Sequence, residues 1–371
     1  MENVLYFSYT DNLDDQFSGV SRKIHSQVIA IENLGFNVYL AGFFNNLYKI
    51  QSEKEYIDLK GESLILKKKI LFKFILEKIK KYQIKILYIR MFGASSSFIS
   101  FLKEVKNLGL KIIMEIPTFP YDNEVIGIKG KILNFIDRVY RNKYKYVLDY
   151  IVTFSDDNYI YGVPCINISN AVDEETIEKD IVIKDDRVIN FVSVSTLYYW
   201  HGVDRFLSSI LNYLQNTDAN HNIKFYIVGP DNAESLKIKK ILNENPCLKD
   251  IVFYLGYKNS LELKQIYKDM HIGVGSLGRH RSNIYKINTL KNKEYCANGL
   301  PMIYSENDKD FDNQKFVYKS SADESLIDIN DLCNWYIEHN WVDSEIISYI
   351  KNYTWHEQMK KVFLPIVGDN S

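Results

Sequence analysis

The chain has 371 residues, enough for two domains that each bury a core. Hydrophobic residues make up 46% and charged residues 25%, which excludes a disordered chain. The net charge of −1 excludes a strongly basic nucleic-acid binder but hides an asymmetry: residues 1–170 hold 23 Lys/Arg against 18 Asp/Glu, the rest 23 against 29.

In chain order, the first half opens with a strand, NVLYF, a polar turn containing Gly19, and a helix running to about Leu34. FNVYLAGF reads as a second strand, and IKILYIR (84–90), LKIIMEI (110–116), DYIVTF (149–154) and CINIS (165–169) continue the series between helical segments. Strands alternating with helices predict a parallel sheet covered on both faces. Among those helices, KKKILFKFILEKIKKYQIK (67–85) carries the densest basic charge. It reads as a crossover helix with its lysines in water, or as a peripheral contact to anionic lipid at the inner face of a membrane.

The stretch DEETIEKDIVIKDDR (173–187) is a charged surface connector. After it the rhythm restarts with VINFVSVS, KFYIVG, IVFYLG, HIGVGSL and LPMIYS, separated by helices near 203–214, 232–244, 260–270 and 288–299. A last helix, 354–366, carries Trp355, Met359, Val362 and Phe363 on one face. The expectation is α/β: two Rossmann-like domains, 1–170 and 171–350, with parallel sheets facing a cleft, and a C-terminal segment 351–371 crossing back to the first. Ligands in such sheets sit at the carboxyl ends of strands.

The four cysteines, Cys165, Cys247, Cys296 and Cys333, form no C-x-x-C pair, so neither a zinc site nor a disulfide framework is encoded. MENVLYFSYTDNLDD has too short an apolar run for a signal peptide, and no run of about 20 apolar residues could span a bilayer. A cytoplasmic location is expected. Heavy use of Lys, Ile, Asn and Tyr resembles AT-rich bacterial genomes.

GVGSLG (273–278) fits G-x-G-x-x-G, and Glu294 follows 21 residues after Gly273. The pattern serves a dinucleotide only where its glycines lie between a strand and a helix N-terminus. Here Ile272, Val274 and Leu277 put the glycines within the strand, and the basic loop RHRSNIYKIN intervenes before a helix that starts near Asn288. A dehydrogenase is therefore not expected. Asp308-Lys309-Asp310 and Asp310-Phe311-Asp312 mimic a D-x-D metal site and a calcium loop. Asn313 and Lys319 occupy the glycine and glutamate positions of such a loop, so a solvated acidic loop is expected. No G-x-S-x-G, P-loop or H-E-x-x-H sequence is present.

FVSVSTLYYWHGVDRFLSSI, FYIVG, VFYLGYKNSLELKQIY, HIGVGSLGRHR and LKNKEYCANGLPMIYS follow one another as in the nucleotide-sugar domain of GT-B glycosyltransferases. The set resembles the retaining family-4 group, in particular a bacterial subgroup with W-H-G-x-D and L-K-x-x-E-Y-x-A-x-G-x-P segments. SGVSRKIHSQVIAIENLGFNVYL and EIPTFPYDNE in the first half resemble the same group.

The resemblance implies a glycosyltransferase of hexosyltransferase type, acting without a metal or cofactor in polysaccharide biosynthesis. The donor would be a nucleotide sugar, a UDP-sugar by preference. The acceptor would be a glycan, a lipid-linked sugar or a protein, and homo- or hetero-oligomers are compatible. Glu294 would accept hydrogen bonds from two ribose hydroxyls. Asn288 is expected as the N-cap of a helix whose first amides, with Thr289, Leu290 and Lys291, face the diphosphate. Arg281 and Lys291 would supply full positive charge to the leaving group and act as the catalytic pair, while Arg279 reads as a solvated loop residue and His280 as a loop-orienting one. His201 and Gly202 would lie under the phosphates, Tyr257 beside the base, and Gly19 in the first loop. Asp122 and Glu124 are the acceptor-side candidates.

Three positions depart from the family's pattern: Thr196, His201 and Lys286, where arginine, lysine and glutamate are common. They leave open an alternative, a catalytically inactive transferase-like subunit that binds or regulates.

Overall fold

The computed structural model of the chain describes residues 2–14, 19–45, 47–122, 127–177, 187–216, 219–339 and 343–368. It divides into two compact units, Met1–Ser169 with Trp355–Ser371, and Asn170–Thr354.

The first unit begins with β1 (Asn3–Asn12), α1 (Gly19–Asn33), β2 (Asn37–Phe44), β3 (Leu47–Ile50), β4 (Tyr56–Ile57) and α2 (Leu64–Lys81). It continues with β5 (Ile86–Arg90), α3 (Ser96–Asn107), β6 (Lys111–Ile116), α4 (Gly127–Tyr140), β7 (Tyr150–Thr153), β8 (Tyr159–Ile160) and β9 (Val163–Asn167). The sheet order is β4-β3-β2-β1-β5-β6-β7-β9-β8. From β2 to β9 the neighbours run parallel, and the short strands β3, β4 and β8 add antiparallel edges. Val4, Leu5, Tyr6 and Phe7 are all buried, because a parallel strand under helices on both faces has no solvent side.

The second unit contains β10 (Ile189–Val194), α5 (Val203–Gln215), β11 (Ile223–Val228), α6 (Ala233–Glu244), β12 (Val252–Gly256) and α7 (Ser260–Lys268). Then come β13 (Ile272–Val274), α8 (Leu290–Ala297), β14 (Met302–Tyr304), β15 (Val317–Lys319), α9 (Ile329–His339) and α10 (Asp343–Ile350). Its sheet, β12-β11-β10-β13-β14-β15, is parallel throughout. Numbered within the unit this is the Rossmann order 3-2-1-4-5-6. The chain leaves β10 in one direction to β11 and returns on the other side at β13, so the switch point lies between the carboxyl ends of β10 and β13.

The last helix, α11 (Trp355–Gly368), belongs to the first unit, where it packs on α1. Trp355, Met359, Val362 and Phe363 are buried, with the Phe363 ring 5.1 Å from Phe36 and 6.0 Å from Tyr88. Gln358 Oε1 accepts the backbone N–H of Ser169 at 2.9 Å.

The helix read from the sequence as 67–85 is α2, whose Ser63 cap accepts from Leu66 N. Two of its lysines are held in ion pairs. Lys78 is buried and pairs with Glu53 at 2.6 Å and with Glu55, and Lys81 reaches Glu53 at 2.5 Å. Residues 178–186 of the expected connector lie outside the described residues.

Candidate functional site: a basic cluster at the switch point

Two turns meet at the carboxyl ends of β10 and β13. After β10 the chain makes a 3-10 turn, Tyr199–His201, and enters α5 through Gly202 at φ +67°. A Cβ on Gly202 would lie 2.6 Å from the Leu277 carbonyl carbon, and one on Gly278 would lie 3.2 Å from Gly202 Cα. Leu277 N donates to the His201 carbonyl at 3.0 Å and locks the turns together.

The glycines of GVGSLG therefore serve close packing. A Cβ on Gly273 would meet the Tyr295 ring at 2.4 Å, and one on Gly275 would meet Asn292 Oδ1 and the Ile303 carbonyl at 3.0 Å. They let α8 and the β10 turn approach the sheet.

After β13, residues Arg279–Ser282 form a 3-10 turn whose first amides are held by a buried acid. Glu306 Oε1 accepts from Arg279 N at 2.7 Å and His280 N at 3.3 Å. Sequence reading missed Glu306; its signal was an acid directly after the strand LPMIYS, at a strand's carboxyl end.

The 3-10 turn sorts its two arginines. Arg281 donates to both oxygens of Glu324 at 2.7 Å, to Asp204 at 2.9 Å and to the Tyr199 carbonyl at 2.7 Å. Two carboxylates pair with Arg281, which braces the turn.

Arg279, read as a solvated loop residue, is half-buried instead. Its guanidinium is 5.5 Å from the Trp200 ring, and its buried Nε has no hydrogen-bond partner. Burial lowers its proton affinity, partly offset by Glu306.

Lys291, in the first turn of α8, is 9% exposed, and its ammonium has no hydrogen-bond partner. Burial, helped by the nearby Arg279 charge and opposed by Glu294, pulls its pKa down to about 7. Burial, then Lys291 and Arg279, depress His201 to about 2, so the ring is neutral. His201 Nδ1 accepts from Tyr198 N at 3.3 Å, which leaves the proton on Nε2 as a donor. Two cationic side chains and a neutral donor share one buried place, an arrangement that an anion would complete.

The N-cap of α8 is Thr289, not Asn288: the Thr289 hydroxyl accepts from Asn292 N at 3.4 Å. Asn288 is spent elsewhere. Its amide donates to Asp310 at 3.0 Å, and its Oδ1 accepts from Asn170 N at 3.2 Å. The amides of Leu290 and Lys291 remain at the positive end of the helix, beside the Lys291 ammonium. Glu294 is half-buried one turn further on. Tyr257 follows Gly256 at the end of β12 and is half-exposed.

The D-x-D residues form no solvated loop. Asp308 accepts from Asn292 Nδ2 at 2.9 Å, the buried Lys293 pairs with Asp310, and Asp312 accepts from Tyr304 at 2.9 Å and Lys319 at 2.7 Å. Burial raises Asp308 to about 6. These acids clamp α8 to the loop after β14. Among the described residues no group of three or more His, Cys, Asp or Glu is arranged to hold a metal ion. Lys286, one of the family departures, forms an isolated bridge with Asn307.

In the first unit, Gly19 is the first residue of α1, with open space where a Cβ would stand. Asp122, the acceptor-side candidate, is paired with Arg138 and Arg141 at 3.0 Å. Glu124 lies outside the described residues. The first residue of EIPTFPYDNE, Glu115, is the centre of a buried polar network. It is buried and accepts from Tyr88 (2.7 Å), Gln27 (2.8 Å) and Arg90 (2.7 Å), with Lys23 at 3.1 Å. Although burial alone would raise it, Lys23 and Arg90 bring its pKa down to about 2.

Comparison with solved structures follows this geometry. A glycosyltransferase from Rickettsia africae superposes with TM-score 0.67 at 12% identity, covering 99% of this chain and 98% of that one. The lipopolysaccharide outer core galactosyltransferase WaaB superposes with 0.64 at 15% over the whole of both chains. The chain has the GT-B fold. A UDP-GlcNAc 2-epimerase from Methanocaldococcus jannaschii shares the architecture too, with TM-score 0.55 at 10% identity over 99% of this chain and all of that one. At these identities the likeness gives architecture, so the reaction is argued from the site. No family profile and no curated relative matches the sequence.

Proposed function

We propose that the chain transfers a sugar from a nucleotide-sugar donor, a UDP-sugar by preference, to an acceptor hydroxyl, with retention of anomeric configuration and without a metal. The observation that carries this reading is the unpartnered, buried Lys291 ammonium beside Arg279 at the N-terminus of α8, on the switch point of a Rossmann sheet. A diphosphate brings the negative charge that this place lacks, and helix amides with two cations do the work of a bound metal. Glu294, one turn along α8, is assigned to the ribose and Tyr257 to the base.

In the reaction the bond between the anomeric carbon and the diphosphate oxygen breaks, and its electron pair goes to that oxygen. The acceptor oxygen bonds to the same face of the sugar, and its proton passes to the leaving diphosphate. Lys291, Arg279 and the Nε2–H of His201 act by stabilising the charge that grows on the leaving oxygen, which is greater in the transition state than in the bound donor. Retention is supported by the W-H-G-V-D and L-K-N-K-E-Y-C-A-N-G-L-P segments, which resemble those of the retaining family-4 group.

The test is turnover of a UDP-sugar panel by the purified chain in EDTA, with product configuration read by NMR. Nucleoside diphosphate release that depends on an acceptor supports transfer. Release without an acceptor, or a 2-epimerised donor, overturns it. Tight nucleotide binding without turnover, alone or with partners, identifies the inactive subunit instead.

A further inference from the structure

Helix α4 carries its apolar residues on the outside. Ile128, Ile132, Phe135 and Val139 follow one another at spacings of four, three and four, so they form one stripe, and each is 55–80% exposed. A soluble helix normally turns such a stripe inward. The inward side of α4 is already occupied by Asp137, which accepts from Tyr121 at 2.8 Å and from Ala94 N at 2.6 Å.

Beside this stripe opens a pocket of about 710 Å³, walled by Leu133, Ile136 and Tyr140 of α4, Leu64 and Ile65 of α2, and Phe92. Ile65 is 83% exposed, with Leu64 and Leu66 also exposed, so the apolar surface continues from α4 across the pocket mouth to the start of α2.

The charge around this surface is mainly positive. Lys68 lines the pocket with its ammonium 5.0 Å from the Phe92 ring and 3.4 Å from the Ser95 hydroxyl. Lys67 and Lys69 flank it, and Lys131 shares the face of Ile128 and Phe135. Of the acids nearby among the described residues, Asp137 is buried, Asp122 is paired with two arginines, and Glu62 is exposed before α2. No helix of the described residues is long and apolar enough to cross a membrane.

We infer that the first unit seats on an anionic lipid bilayer through the α4 stripe and the start of α2, with an aliphatic lipid chain entering the pocket between them and the lysines meeting the phosphate headgroups. The basic last turn of α2 is not part of the contact, because Lys78 is buried against Glu53 and Glu55 and Lys81 is paired with Glu53. The inference does not rest on the transfer reaction, since every residue it uses belongs to the first unit and the basic cluster belongs to the second.

The experiment is flotation of the full chain with vesicles of phosphatidylcholine alone and of phosphatidylcholine with about 30% phosphatidylglycerol. Binding to the anionic vesicles should be tenfold or more the stronger, and should weaken at high salt. Ile132→Ser with Phe135→Ser should reduce it about tenfold or more without lowering Tm, because both side chains are exposed. Leu236→Ser, an exposed site on α6, should leave it unchanged. Leu133→Trp should gain fluorescence that lipids brominated along the chain quench. Equal or no binding to the two vesicle types, binding that survives the double substitution, or a dimer in solution that the same substitution dissolves would each overturn the inference.

Discussion

Replacing Lys291 with methionine keeps the length of the side chain and removes an ammonium that nothing in the protein pairs. The folded pKa of Lys291 is about 7, against an ordinary value of 10.5. The unfolded chain therefore binds this proton more tightly than the folded one, and the stability cost grows as pH falls from 10.5 toward 7, then levels off. Linkage puts the cost at about 2 kcal/mol at pH 9 and about 4 kcal/mol at pH 7. Lys291→Met should accordingly be more stable than the wild type, with an advantage that grows by about 2 kcal/mol between pH 9 and pH 7. Urea unfolding at the two pH values measures this. The same variant should bind UDP about 10- to 100-fold more weakly by calorimetry, the scale of a lost charged hydrogen bond. A variant that is less stable than the wild type at pH 7, or an advantage independent of pH, would refute the account of Lys291 as an uncompensated buried charge. Unchanged UDP affinity would remove it from the donor site.

For the wild type, the protonated Lys291 is the binding form, so UDP affinity should weaken as pH rises from 7 to 9 while His201 stays neutral throughout; titration calorimetry across that window checks both. Arg279→Ala should lower kcat by roughly 10²–10³, whereas Arg281→Ala should lower Tm by loosening the 3-10 turn and change kcat less; equal kinetic losses would return Arg281 to the catalytic set. Gly202→Ala should cost at least about 2 kcal/mol in urea unfolding, since the new Cβ would lie 2.6 Å from a backbone carbon at positive φ. Asp310→Ala should cost about 3–5 kcal/mol by stranding the buried Lys293, and added manganese should not rescue the variant's stability.

Much of this architecture could be read from the chain itself. The apolar runs at Ile189–Val194 and Met302–Tyr304 announce central strands of a parallel sheet because they are buried almost throughout, whereas Ile223–Val228 and Val252–Gly256, toward the sheet edge, are buried less completely. The face of Trp355, Met359, Val362 and Phe363 is legible as an amphipathic helix for the same reason. Strands β3, β4, β8 and β15, of two to four residues, are too short to show a period, and their pairing depends on the strand they border.

The site divides along a similar line. The family resemblance carried by W-H-G-V-D and L-K-N-K-E-Y-C-A-N-G-L-P brought Gly202, Lys291 and the start of α8 to attention, since a glycine turn and a helix N-terminus are local features that a motif can mark. Tertiary structure alone decided which charges are free. Arg279 and Arg281 are two residues apart in one basic loop, and nothing local says that Glu324 and Asp204 will neutralise one while Trp200 covers the other. Nor does the sequence show that Asp308 and Asp310 are buried against Asn292 and Lys293 rather than solvated. Periodicity is a property of neighbours along the chain, whereas the compensation of a charge depends on which distant side chains folding brings within a few ångströms of it.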